Sequence, residues 1–147
     1  MKSRAGNEMH VTKAEKPVFR DIIPFASEGV EMEVISTDPS TGGFSCIFRG
    51  KAGATFAPHL HLAGADYLIL SGALNYRDQL APAGDSGYEP YGSLHEMTIF
   101  PEDTEMLFIT HGPIMFIDEE KRPTQVMDSR WIEEQIAAGR TRAASAA

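Results

Sequence analysis

The chain has 147 residues, with 21 Asp and Glu against 13 Lys and Arg, a formal charge of −8 and 42% hydrophobic residues. That length suits one domain with a substantial core. The acidic balance argues against a nucleic-acid partner, which would need clustered Lys and Arg, and no apolar stretch approaches the ~20 residues that cross a bilayer.

In chain order, residues 1–16 are polar and are expected to form a flexible lead-in. They lack the apolar region of a secretory signal, so a cytoplasmic protein is expected. From residue 17 onward, short runs of Val, Ile, Phe and Tyr alternate with Gly, Pro, Asp and Ser, the pattern of many short strands. The expected strands are 30–36, 43–50, 66–72, 73–78, 95–100, 105–112 and 113–120. The turns "SGA", "PEDT" and "HGP" between them read as hairpin connections. The only cysteine, Cys46, lies among apolar neighbours and reads as a small buried hydrophobe rather than a reactive thiol.

One helix is expected, over 128–140. Asp128 or Ser129 caps it, Trp131, Ile132, Gln135 and Ile136 form its apolar stripe against the outside of the sheets, and Gly139 ends it. Residues 141–147 are expected to be a flexible tail. A chain of this kind must hide its sheet edges, and a closed barrel or two-sheet jelly roll does so. The expected fold is therefore all-β, a single jelly-roll domain over 17–140 with a short C-terminal helix.

The five histidines are unevenly spread. His59 and His61 stand two apart in "APHLHLAG", and on a strand residues i and i+2 share a face, so both rings would project together toward one ion. Imidazole suits Fe, Zn, Ni, Mn and Cu, so the pair does not name the metal. His10 lies in the polar lead-in and is expected to be exposed. His111, in "THGP", reads as a surface turn residue. No G-x-G-x-x-G, P-loop or G-x-S-x-G occurs, so no nucleotide site or serine nucleophile is signalled.

Gly53 precedes His59 by five residues, and "GDSGYEPYGSLH" sets Gly84, Pro90, Gly92 and His95 at intervals of five, one and two residues. These stretches resemble the two cupin motifs, G(X)5HXH(X)3-4E(X)6G and G(X)5PXG(X)2H(X)3N, over roughly residues 45 to 120. The resemblance implies a cupin jelly-roll β-barrel and one divalent metal per chain held by His59, His61 and His95. The first motif's glutamate is missing. Asp66 is then a candidate ligand, a partner hydrogen-bonded to a histidine, or a solvated turn residue. The last two are favoured, because alternation counted from Gly72 turns Asp66 outward and faces Tyr67 and Ile69 toward the pocket. The second motif's final Asn is replaced by Ile99.

A three-histidine set looks like that of the acetylacetone dioxygenase and cysteine dioxygenase cupins, and "TEMLFITHGPIMFIDEEKRPTQVMD" (104–128) is similar to acetylacetone dioxygenase and 2,4'-dihydroxyacetophenone dioxygenase-like cupins. In the latter a glutamate soon after the first hairpin adds a ligand, and here Asp78 or Gln79 would have to serve. This resemblance implies an Fe(II) dioxygenase that cleaves a C–C bond of a small β-diketone or α-hydroxyketone with O2, with Phe56, Tyr67, Ile69, Tyr76 and Phe108 as candidate pocket walls. It also implies a homodimer. Two alternatives stay open: a non-catalytic Zn-binding sensor or ligand-binding module, like the cupin half of some zinc anti-sigma factors, and a metal-dependent isomerase or lyase.

Overall fold

Alternation of buried and exposed residues builds the strands. In Thr104–Thr110 every second residue, from Thr104 through Met106 and Phe108 to Thr110, is buried, because successive side chains of a strand leave on opposite faces. The computed structural model describes residues 1–6, 8–9 and 11–139. His10 and the expected tail lie outside the described residues. The strands are β1 (Lys2–Ser3), β2 (Val30–Thr37), β3 (Phe44–Gly50), β4 (Thr55–Phe56), β5 (His59–His61), β6 (Ala65–Ser71), β7 (Ala73–Tyr76), β8 (Gln79–Pro82), β9 (Ser86–Glu89), β10 (Leu94–His95), β11 (Thr98–Ile99), β12 (Thr104–Thr110), β13 (Ile114–Ile117) and β14 (Pro123–Met127), followed by α1 (Ser129–Ala137).

A six-stranded sheet runs β1-β2-β3-β12-β6-β9, and two four-stranded sheets run β10-β5-β13-β14 and β4-β11-β7-β8. β4 and β5 are two pieces of one course of chain broken at Ala57 and Pro58, where proline has no N–H to give a ladder. β10 and β11 are broken alongside, at residues 96–97, so the strand expected over 95–100 is two short ones. Both breaks leave the pairs in step, His95 opposite His59 and Thr98 opposite Phe56. Aromatic rings from the two layers meet between them. Phe48 lies edge-on to Phe56 at 5.3 Å and against Phe108 at 5.3 Å, within one continuous apolar cluster that also takes in Phe44, Phe116 and Cys46.

The three turns read as hairpins are corners instead. "SGA" joins β6 to β7, "PEDT" joins β11 to β12 and "HGP" joins β12 to β13, and in each case the two strands belong to different sheets. A jelly roll passes its chain between layers at such corners, and local turn chemistry does not distinguish the two uses. The hairpin lies one strand later, where β7 pairs with β8 across Arg77 and Asp78, both at positive φ (46° and 63°), the conformation of a two-residue primed turn.

The lead-in is pinned at its start. Lys2 and Ser3 pair in parallel with Ser36 and Thr37, and Arg4 donates from Nε to Ser36 Oγ at 2.9 Å, so β1 covers part of the open edge of β2. At the other end Asp128 caps α1 by accepting from the Trp131 amide at 2.7 Å. Ile132 is fully buried, Trp131 and Ile136 pack on the core, and Thr37 Oγ1 donates to Glu133 Oε1 at 2.7 Å, tying the helix to β2. Among the described residues no helix is long and apolar enough to cross a membrane.

Candidate metal centre

Three histidines meet between the layers. β5 places His59 and His61 on one face, both buried, with Leu60 between them directed away. β10 pairs beside β5 and brings His95 directly opposite His59. The ring centroids are 4.8 Å apart for His59 and His95, 4.9 Å for His59 and His61 and 6.2 Å for His61 and His95.

Hydrogen bonds orient two of the rings. His59 Nδ1 lies 2.8 Å from the Ala57 carbonyl. His95 Nδ1 lies 3.0 Å from the Glu96 carbonyl, with Thr98 Oγ1 3.1 Å away. A carbonyl only accepts, so Nδ1 carries the proton, which leaves the neutral His59 ring a lone pair on Nε2. Burial pushes the His59 ring well below the usual imidazole pKa, and the neighbouring His95 adds to that. His61 is also lowered by burial, with Glu89 pulling the other way. The neutral rings are the ligating form.

A carboxylate completes the group. Alternation on β9 turns Tyr88 outward and Glu89 inward, and Glu89 reaches His95 Nε2 at 2.8 Å and His61 Nε2 at 3.1 Å. The approach to His61 lacks hydrogen-bond geometry, so both nitrogens of His61 are buried without a hydrogen-bond partner. Leaving such groups unpaired is costly, and a cation at Nε2 would relieve it. Among the described residues no group of three or more His, Cys, Asp or Glu has the spacing to hold a metal ion as it stands. The four side chains converge, with Glu89 against both His95 and His61. Three imidazoles and one carboxylate fit a divalent transition metal, and together they would leave it a net charge of +1.

Glu89 was not among the residues expected from the sequence. Its signal lay inside the second motif: an acidic residue immediately before Pro90, held extended by that proline, two residues from Gly87 on the same face. The three residues proposed for its part lie elsewhere. Asp66 points outward on β6 and pairs with His111 Nε2 at 3.1 Å, both side chains more than half exposed. It therefore partners a histidine, but not one of the cluster. Asp78 is the second residue of the β7–β8 turn and Gln79 begins β8, both exposed. A carboxylate at a hairpin tip leaves with the turn, away from the interlayer space.

A cavity of ≈30 Å³ adjoins the cluster, lined in part by His59, His95, Glu89, Phe56, Tyr67 and Phe108. Phe56, Tyr67 and Phe108, the candidate walls, border this cavity. Ile69 does not line it and is buried in the core. Tyr76 meets the site from the side, its ring stacked on His95 at 4.2 Å.

Residues 9–115 match the family described as the ChrR cupin-like domain. The chain belongs to this cupin family. An acetylacetone-cleaving enzyme from Acinetobacter johnsonii is 28% identical over 119 residues, 77% of this chain and 76% of that protein. The crystal structure of an acetylacetone dioxygenase from the same organism superposes with a TM-score of 0.75 at 23% identity, covering 90% of this chain and 97% of that one. An RmlC-like cupin from Ralstonia eutropha gives a TM-score of 0.71 at 20% identity, over 88% and 89% of the two chains. The fold of this cupin is accordingly the jelly roll that the glycine and histidine spacing implied.

Proposed function

We propose that this cupin is a metal-dependent dioxygenase, with Fe(II) held by His59, His61 and His95, that cleaves a C–C bond next to a carbonyl in a small β-diketone or α-hydroxyketone. One observation carries the reading: a buried histidine, His61, with neither nitrogen hydrogen-bonded, facing two further imidazoles and a carboxylate beside an apolar cavity. Similarity to the acetylacetone-cleaving enzyme supports the substrate class. A ferrous ion there would supply Lewis-acid polarisation of a chelating substrate and a site for O2.

The chain's own residues would do the rest. Ala57 and Glu96, through their carbonyls, anchor the His59 and His95 rings at Nδ1, so that Nε2 would be the ligating nitrogen. Glu89, against His95 and His61, would ligate the metal or take a substrate C–H proton as the diketone becomes an enolate. Phe56, Phe108 and Met106 exclude water from the reacting carbon. The two oxygen atoms of O2 would end in the two fragments. The outward row Leu68, Leu70 and Tyr88 is exposed and supports a homodimer.

The ChrR-type family match favours a second reading, a Zn-holding module without turnover. Elemental analysis followed by an oxygen electrode after iron loading separates the two. Oxygen uptake with acetylacetone or a small hydroxyketone is expected. One equivalent of zinc, with no uptake on any such carbonyl, would replace the enzyme reading with the module.

A further inference from the structure

The second cupin motif contains three glycines, and they serve different ends. Gly84 and Gly92 have φ of +94° and +76°, where a side chain is strained, and nothing lies within 4 Å of a Cβ added to either. Gly87, between them, has no such backbone requirement. It faces inward on β9, directly opposite Tyr67 on β6, and a Cβ there would overlap Cζ and Oη of Tyr67 and stand 2.6 Å from its Cε1. The tyrosine ring therefore lies across the space a side chain at position 87 would fill.

That ring also borders the cavity, together with Glu89, which is two residues from Gly87 on the same face of the same strand. We propose that Gly87 is a specificity-determining position: its missing side chain lets Tyr67 lie flat on β9, and this sets the width of the cavity over the histidine–carboxylate cluster. β9 lies behind the ring and the cavity in front of it, so a group at position 87 is expected to drive the phenol toward the cavity. Short bidentate oxygen ligands would tolerate the narrowing, whereas those with a bulky substituent would not. The inference rests on the diketone reading for its choice of probes.

The test uses Zn-loaded full-length protein, which binds without turning over, with acetylacetone and benzoylacetone as probes in calorimetry. G87A is expected to weaken benzoylacetone by about tenfold or more while changing acetylacetone by less than about threefold, with metal stoichiometry unchanged. In a Y67L background, whose shorter side chain lacks the overlapping atoms, G87A is expected to change neither affinity by more than about twofold. Equal loss of both probes, or a G87A effect that persists at full size beside Y67L, would overturn the proposal. If the wild-type protein binds neither diketone, the dioxygenase reading fails, and a crystal structure of G87A decides the present point alone. A Tyr67 ring displaced into the cavity sustains it, and a ring left flat on the strand overturns it.

Discussion

Glu89 Oε1 stands 2.8 Å from His95 Nε2, although the two residues belong to different sheets and six positions of chain carry one to the other. The Pro90–Gly92 turn makes this contact: it takes the chain out of β9 and returns it through β10 with both side chains facing the same interior point.

If that carboxylate serves the metal, Glu89→Gln, which keeps shape and removes charge, should lower metal affinity by about 10–100-fold. Competition against a chelator measures it. Unchanged affinity would mean that the carboxylate neither binds the ion nor tunes it.

His95→Ala should abolish stoichiometric metal binding and leave the β-rich circular dichroism spectrum intact, because the β10–β5 ladder is a backbone pairing. Elemental analysis of the purified variant is the check. Full occupancy would show that the histidine on β10 is not a ligand.

Asp66→Asn, Asp78→Asn and Gln79→Ala should each retain wild-type metal stoichiometry. The first breaks only an exposed pair with His111, of the kind that contributes little, and the others lie at an open hairpin tip. Loss of metal in any of them would reassign the fourth position.

The metal-free protein should lose stability as the pH falls. Folded His59 and His61 have pKa values below the ordinary 6.5, so below that pH the unfolded chain binds more protons than the folded one. The stability is fully present above about 6.5 and drains away below it. Asp38, Asp103 and Asp118, also lowered but from 3.8, act only in a more acidic window. Thermal melts of chelator-treated protein at pH 7.5 and 5.5 should differ accordingly. Identical midpoints would contradict the burial of neutral rings.

Cys46 is fully buried, and desolvation pushes its thiol pKa well up. The native protein should fail to react with Ellman's reagent over minutes, then release one equivalent once unfolded in guanidinium. Prompt reaction of the native protein would show that β3 opens readily.

Sequence by itself determined what depends on neighbours in the chain. Period-two alternation faced Tyr67 inward and Asp66 outward on β6, the i, i+2 rule put His59 and His61 on one face, and the glycine spacing around His95 carried the cupin resemblance. The helix start was legible to within one residue, Asp128 or Ser129, because the capping bond spans only three residues. Which sheet each strand joins was decided in three dimensions, and with it the conversion of three expected hairpins into corners between layers. The carboxylate was decided there too. Asp66 follows His61 by only five residues yet leaves its strand outward, and Asp78 and Gln79 sit at an exposed hairpin. Glu89 meets two histidines in space, because β9 extends the far sheet until its inward face overhangs β5 and β10. Local spacing fixes the direction in which a side chain leaves its strand, but only the packing of one layer on another fixes what it meets.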